Sequence, residues 1–430
     1  MSEKQKLSKK IAHTLLAMSI VYSGGMNVLC NTAFADPVDG TPGTDGAAIV
    51  QNDDISSGIS TTYTADDGTP GGNASGGGRG GDGGNGGSVT VNDTVTGTIG
   101  GAIEITATGG NGGKGGRGTT SIYTPDQGPL GNTGDGGDSK VAINVRGGGI
   151  TTANNITVIA KAGSGGEGQN INNKDYDSVN GGMGGSAATI GLQSDVSNTL
   201  VTITAADVTI SAEGGKGGWG GSSYGTGSVG GMGGAAEAYG LKAATNLLDL
   251  ALNDIKVTAV GGEGGKGGRG GDSGNIGDGN AAGAGGKAVV WGIEAVNSSI
   301  SGTVNSISVS AAGGAGNVGG SGSSDGRVGI SSAGADGMAY AVSSDHGTVD
   351  LMVTAAITAA ATGGAGGGGA YGSDGVGRRG VGSDGGDGSN GGTAVAYGLH
   401  LTATDNASVT AATVVTQLLM LLMPMAAGCS

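Results

Sequence analysis

Aromatic residues are scarce in this sequence: they make up 3% of its 430 residues, and Phe34 is the only phenylalanine. Large compact cores usually contain aromatic side chains, so this core has to be built from Ile, Val, Leu and Ala, which favours a thin, elongated core. Cysteine is almost absent as well, with Cys30 and Cys429 alone. Because Cys30 lies in a segment that we expect to be removed, a disulfide framework is excluded for the mature chain.

Residues 1–35 have the features of a secretory signal peptide. Four lysines at positions 4, 6, 9 and 10 precede an apolar stretch, and Ala33-Phe34-Ala35 forms an A-x-A cleavage site before Asp36. Serines and glycines interrupt the apolar stretch, which argues against a membrane anchor. We therefore expect export through the inner membrane and a mature chain that does not span a membrane.

Positive charge is also in short supply, since 20 Lys and Arg face 35 Asp and Glu and give a net charge of −15. Removal of the lysine-rich leader makes the mature chain more acidic still. Nucleic-acid binding requires clustered Lys and Arg and is therefore excluded as a function. An acidic balance suits a soluble extracellular surface.

Glycine, in contrast, is abundant, with 103 residues, and it recurs with a long period. Six alternating stretches run into glycine blocks, and their first residues are 47–53 positions apart: Ile103, Ile156, Val208, Ile255, Ile307 and Ile357. A second recurring position follows the end of each glycine block, and it has a similar spacing. It is occupied by Gly191, Gly240, Gly292, Ala341 and Gly398. Two independent anchors that share a period of about 50 residues indicate a structural repeat.

The non-glycine half of each repeat has the alternation of β-strands. In "IKVTAV", Ile255, Val257 and Ala259 alternate with outward-facing residues, and no proline occurs between Pro129 and Pro424. One repeat cannot bury its apolar side alone, whereas stacked repeats can. The sequence therefore predicts an all-β fold, a parallel β-helix of about seven coils.

The glycine blocks have a period of three, as in "GGEGGKGGRGG" at residues 261–271. Three residues per turn is the geometry of the polyproline-II type helix, which has no internal hydrogen bonds. Successive coils are about 4.8 Å apart, a distance at which glycine edges can pack but α-helices cannot. We expect polyglycine-II hairpin arms that form a side bundle; flexible glycine-rich loops are the alternative.

These patterns divide the chain into a signal peptide (1–35), an N-terminal lead with the first glycine-rich segment (36–87), a repeat solenoid with its arms (88–416), and a tail (417–430). The tail, "QLLMLLMPMAAGCS", is unlike the preceding repeats. We hypothesise that it is an aberrant segment translated after a frameshift, and that another reading frame of the gene restores repeat-like sequence.

No constellation of residues in the sequence predicts chemistry. His346 and His400 have no neighbouring ligands for a metal, the glycine blocks lack the GK[ST] ending of a phosphate loop, and the charges are scattered. We therefore expect no enzyme, catalytic residue, cofactor or metal. Exposed aromatic residues at arms and turns are the candidate partner-binding residues, and they are Tyr123, Tyr176, Trp219, Tyr224 and Tyr371. The alternative is a structural role for them, in which they cap the ends of the arm bundle. A second set, Tyr239, Trp291, Tyr340 and Tyr397, recurs at one repeat position and predicts a structural aromatic stack.

The signal peptide, the Thr/Val/Ala-rich coils and the acidic composition together resemble autotransporter-type (type V secreted) surface passengers of Gram-negative bacteria. The "GGxGGxGG" blocks resemble the polyglycine-II bundles of glycine-rich phage tail-tip adhesins and of a small insect antifreeze protein. The first resemblance implies an adhesin-like passenger at the cell surface or outer membrane, or secreted, with glycans or proteins of a host or neighbouring cell as partners. This sequence lacks the family's C-terminal membrane β-barrel, and without one the expected location is the periplasm.

Two other classes of function stay open. An ice-binding protein, or another protein with a repetitive binding surface, would carry Thr or small residues along one arm edge. A β-helix enzyme that degrades polysaccharides would need carboxylates converging on one groove.

Overall fold

The computed structural model describes residues 38–75, 78–96, 99–117, 130–146, 149–151, 154–170, 178–194, 200–223, 226–244, 247–270, 278–322, 327–370, 386–401 and, for the backbone, 406–419. The described residues form eighteen β-strands and no helix. In chain order these are β1 (Ile49–Gln51), β2 (Asp54–Ile55), β3 (Ile59–Thr64), β4 (Val89–Val95), β5 (Ile103–Thr108), β6 (Ser139–Val145), β7 (Gly149–Thr151), β8 (Ile156–Lys161), β9 (Ala187–Ser194), β10 (Leu200–Glu213), β11 (Ala236–Ala244), β12 (Leu247–Val260), β13 (Ala288–Val296), β14 (Ser299–Ala312), β15 (Gly337–Asp345), β16 (Thr348–Thr362), β17 (Ala394–Leu401) and β18 (Asn406–Leu419).

All strand pairs are parallel, and the strands form two sheets whose order follows the chain. Sheet 1 runs β1-β4-β6-β9-β11-β13-β15-β17 with β2 beside β4, and sheet 2 runs β3-β5-β8-β10-β12-β14-β16-β18 with β7 beside β10. Each coil contributes one layer to sheet 1 and then one layer to sheet 2, and a glycine block leads to the next coil. The predicted all-β parallel β-helix is confirmed.

The solenoid has eight layers among the described residues, compared with the seven or so that the repeat predicted. The additional layer consists of β1 to β3, in the part of the sequence that we interpreted as an N-terminal lead. Ile59 of β3 pairs with Ile103 of β5, only 44 residues further on, and β1 pairs with β4 in the same way. The shorter spacing and the missing anchors concealed this layer from the repeat analysis.

The core is a narrow stripe of aliphatic side chains between the two sheets. Ile255, Val257 and Ala259 are fully buried, as the alternation predicted. Strand register places the same position of each layer side by side, so that Ile255 of β12 lies between Val208 of β10 and Ile307 of β14. Burying one such Ile or Val contributes on the order of 1.5–3 kcal/mol, and stacking repeats the contribution in every layer.

Each glycine block consists of an outgoing segment, which follows sheet 2, and a returning segment, which leads into sheet 1. Hydrogen bonds recur at every third residue of these segments. In the outgoing segment 214–223, the Gly217 and Gly220 amides donate to the carbonyl oxygens of Glu263 and Lys266 in the next layer, both at 2.8 Å. The Gly218 amide donates to the carbonyl of Gly182 in a returning segment, also at 2.8 Å. These bonds supply what a three-fold helix cannot provide internally and confirm the polyglycine-II arms as a packed bundle.

Close approach of backbones explains why glycine fills two positions of every three. A methyl group on Gly265 would lie 1.9 Å from the carbonyl oxygen of Gly218, in the neighbouring outgoing segment. On Gly264 it would lie 1.8 Å from the carbonyl oxygen of Gly283, in a returning segment. Any side chain at these positions would force the segments apart and break the bonds between them. The entropy that glycine loses on folding is therefore offset by contacts that only glycine permits.

The third position of each turn faces outward, and its amide is often bonded by an Asp or Asn side chain of the preceding layer. In the returning segments, Asp45 Oδ1 accepts from the Asn85 amide at 2.7 Å, Asn85 Oδ1 from the Asp135 amide at 2.8 Å, and Asp135 Oδ1 from the Met183 amide at 2.7 Å. Asp67, Asn111 and Ser164 form a similar series in the outgoing segments. Acidic and amide residues at outward positions thus continue the ladder where no backbone carbonyl is available.

Candidate binding surface on the outgoing segments

The outward residues of the outgoing segments form a regular surface. Within a segment they are about 9 Å apart, because three residues rise about 3.1 Å each. Between layers the hydrogen bonds place Trp219 beside the outward position of the preceding segment, Glu167, and Lys266 beside the following one, Val318. The sequence period therefore becomes a lattice of side chains on a flat backbone.

Oppositely charged side chains of adjacent layers pair on this surface. Lys114 Nζ lies 2.6 Å from Glu167 Oε2, and Lys216 Nζ lies 3.0 Å from Glu263 Oε2. About half or more of each of these side chains is exposed, so the pairs add little to the free energy of unfolding. Their consequence for binding is larger, because the negative charge of Glu167 is balanced beside Trp219.

Trp219 is 52% exposed, and two cations, Lys266 and Arg269, line the same groove. Lys266 Nζ lies 5.0 Å from the centroid of the indole ring, within the range of a cation–π interaction. Arg269 follows one turn along the same segment, and no carboxylate of the described residues pairs with it or with Lys266. The cluster is a local positive site on a chain with a net charge of −15.

A groove of about 460 Å³ lies between these side chains. Its polar and aromatic walls are Glu167, Asn170, Trp219, Ser222, Lys266 and Arg269. Its apolar and backbone lining is Gly168, Gly220, Gly267, Val318, Gly319, Gly320 and Ala370, and Ser321 adds one more hydroxyl group. The groove arises where the long side chains of two layers adjoin layers that carry small residues. It offers an aromatic surface, hydroxyl and amide groups and two cations to one ligand.

Of the residues predicted to bind a partner, Trp219 is outward-facing and exposed in the structure, while Tyr123, Tyr176, Tyr224 and Tyr371 lie outside the described residues. The period of three predicted that Lys266 and Arg269 lie along the same edge of one glycine segment. It did not identify Asn170 or Ser222 as groove residues. They belong to the site because segments about 50 residues apart in the sequence lie side by side. Identifying them requires knowledge of how each segment is aligned with the next one.

The second aromatic set forms the predicted stack, on the outer face of sheet 1. The ring centroids of Tyr239 and Trp291 are 4.3 Å apart, those of Trp291 and Tyr340 are 5.7 Å apart, and those of Tyr340 and Tyr397 are 5.5 Å apart. Burial, with the hydrogen bond from Tyr239 to Glu237, raises the pKa of the Tyr239 hydroxyl well above its usual value. Because the rings cover one another's faces, the arrangement is structural.

The two histidines considered from the sequence as metal ligands, His346 and His400, contact neighbouring side chains. His346 has a positive φ of 57°, and its Nδ1 lies 2.6 Å from Asp345 Oδ1. His400 lies against the rings of Tyr340 and Tyr397. Within the described ranges, no three His, Cys, Asp or Glu side chains are grouped as a metal site would require. The same ranges contain no helix long and apolar enough to cross a bilayer.

Comparisons of the chain with protein-family models, with curated proteins and with solved structures found no match.

Proposed function

We propose that this chain is an exported, adhesin-like passenger that binds glycans or proteins through the outward face of its outgoing glycine segments. The observation that carries the proposal is the groove around Trp219, Lys266 and Arg269. The backbone beneath these side chains is hydrogen-bonded to the neighbouring segments, so little backbone conformational entropy should be lost on binding. The leader and the acidic composition support a location outside the inner membrane, at the cell surface or secreted.

The chemistry of the groove favours a saccharide that carries a carboxylate or a sulfate. An exposed indole ring can stack on the apolar face of a sugar ring, while Ser222 and Asn170 can bond its hydroxyl groups. Arg269 offers planar paired donors to a carboxylate or sulfate, and Lys266 adds a second positive charge. Balance of Glu167 by Lys114 removes the repulsion that an anion would otherwise meet there.

The test is binding of the full chain to an array of neutral, uronate-containing, sialylated and sulfated glycans, followed by titration of the strongest binder. We expect anionic glycans to bind, and Trp219→Ala to weaken their affinity at least tenfold. Arg269→Ala should weaken anionic ligands more than neutral ones, with a reduced dependence on salt. Met232→Ala is the matched control, because Met232 is 53% exposed on a returning segment. Absence of binding to every glycan class, or equal losses in Trp219→Ala and Met232→Ala, would refute the groove as the site.

A further inference from the structure

The last described layer of the solenoid, formed by β17 and β18, exposes residues whose counterparts in the preceding layers from β9 or β11 onward are buried. Leu399 occupies the position of Leu192, Leu241, Ile293 and Val342 in the preceding layers, as the strand register shows. Those four side chains are 0–2% exposed, whereas Leu399 is 41% exposed. Among the described residues, nothing covers the core stripe at the position of Leu399.

Leu401 repeats the observation in a second core position. Its counterparts Ala243, Ala295 and Ser344 are fully buried, and Leu401 is 39% exposed. Among the described residues, no strand pairs with the outer edge of β17 or β18. This end thus presents both an apolar surface and a row of backbone donors and acceptors.

The composition of these two strands lacks the features that protect natural sheet edges. Strands β17 and β18, with 8 and 14 residues, contain no Asp, Glu, Lys, Arg or Pro. Charged residues, proline and short length are the usual means by which edge strands avoid pairing. Their absence here predicts that the edge pairs with another strand.

The opposite end of the solenoid has those protective features. Its strands β1, β2 and β3 have 3, 2 and 6 residues, and the chain beside them carries Asp39, Pro42, Asp45, Asp53 and Asp54. If β18, with 14 residues, paired with β3, with 6 residues, more than half of its backbone groups would remain unpaired. Head-to-tail stacking of copies is therefore disfavoured, and the surface that matches the last layer in length and charge is the same layer of a second copy.

We propose that two copies of this chain associate end to end through β17 and β18, related by a two-fold axis perpendicular to the solenoid axis. The two-fold makes paired edge strands antiparallel and brings the open core positions of both copies together. An isologous contact of this kind closes at two copies and leaves no edge for further growth. The acidic, short-stranded ends and the Trp219 grooves stay free in the pair, so a dimer presents two grooves.

The test is the mass of the full chain in solution, by sedimentation equilibrium or light scattering across micromolar concentrations. We expect a two-chain particle, and Leu399→Lys should raise its dissociation constant at least tenfold with an unchanged far-UV circular dichroism spectrum. Leu401→Lys serves as the second variant if Leu399→Lys does not fold. Val50→Lys is the matched control, because Val50 is 68% exposed at the opposite end and should leave the dimer intact.

Three outcomes would overturn the proposal. A wild-type monomer at 100 µM would show that the edge does not pair with a second copy. Dissociation by Val50→Lys would indicate head-to-tail contact, as would open-ended polymers in the wild type. Hydrogen exchange provides an independent measurement: amides of β17 and β18 should become more protected as concentration rises, while those of β1 to β3 should not.

Discussion

The rings of Tyr239 and Trp291 lie parallel, with an interplanar angle of 1° and 4.3 Å between their centroids, although 52 residues separate them in the sequence. The same indole ring stacks on Tyr340 on its other side. Three successive layers of sheet 1, β11, β13 and β15, thus bring aromatic residues of different repeats into contact. With Tyr397 these rings form one continuous series of stacked contacts among the described residues, outside the aliphatic core.

Trp291→Ala should lower the free energy of unfolding by about 1–3 kcal/mol, because it removes two stacked pairs worth roughly 0.5–1.5 kcal/mol each beyond the buried area. Denaturant unfolding followed by circular dichroism measures the change. Tyr397→Ala, which removes one stacked pair at the end of the series, should cost less. A larger loss in Tyr397→Ala than in Trp291→Ala would contradict the stacking account.

Gly265→Ala should destabilise the bundle by about 1–3 kcal/mol or more, since the added methyl group would lie 1.9 Å from the Gly218 carbonyl oxygen and force the segments apart. Gly100→Ala is the matched control, because a methyl group there meets nothing within 4 Å. The control should be neutral or should stabilise by about 0.4–1 kcal/mol through the unfolded chain. Equal free energies for the two variants in urea unfolding would mean that the arms do not pack as described.

Asp135→Ala should lower the free energy of unfolding by about 0.5–1.5 kcal/mol, because the Met183 amide loses its acceptor. Met232→Ala is the control on the same face, since a thioether in that position bonds no amide of the next layer. Amide hydrogen exchange of Met183 should also accelerate in Asp135→Ala. An unchanged exchange rate would show that water replaces the carboxylate without cost.

The buried carboxyl group of Asp93 should make stability depend on pH. Its side chain is fully buried, Oδ1 accepts from the Asp53 amide at 2.9 Å, and Oδ2 has no partner among the described residues. Burial raises the pKa of Asp93 above its usual value. The stability contributed by the protonated form is therefore complete below about pH 3.9 and is lost as pH rises through the raised pKa.

Asp93→Asn removes this titration, so its free energy of unfolding relative to the wild type should increase from pH 4 to pH 7. Asp336 supplies the opposite case, because hydrogen bonds from the Thr393 hydroxyl and amide lower its pKa. The ionised Asp336 contributes to the free energy of unfolding above about pH 3.9, and this contribution is lost as pH falls through the lowered pKa. Asp336→Asn should therefore be most destabilising at neutral pH. Parallel pH profiles for the two variants would contradict both assignments.

Much of the fold follows from two periods that are visible in the sequence. The period of about 50 predicted the layers, the alternation within "IKVTAV" predicted the fully buried Ile255, Val257 and Ala259, and the period of three predicted the glycine arms. These features are local and repeat in every coil. The first layer, at residues 49–64, was missed because its spacing to the second is shorter and its anchors differ.

The candidate site could be predicted only in part, because it depends on which layers touch. The period of three indicates that Trp219 and Arg269 face outward, but only the register between segments brings Asn170 and Ser222 beside them. The buried carboxyl of Asp93 was missed for a related reason. Its position in "VTVNDTV" alternates correctly for burial, and an aspartate there reads as an outward residue until the neighbouring chain is known.

The outward edge of the glycine segments has a further consequence for how such a surface can diversify. Two residues of every three are fixed by backbone contact, as at Gly264 and Gly265, whereas the third can be acidic, basic, aromatic or aliphatic without moving the backbone. The outward positions form a grid with spacings of about 9 Å and about 4.8 Å. Single substitutions at grid points can therefore rewrite the recognition pattern while the scaffold beneath keeps its geometry, which is the property that a display surface under changing selection requires.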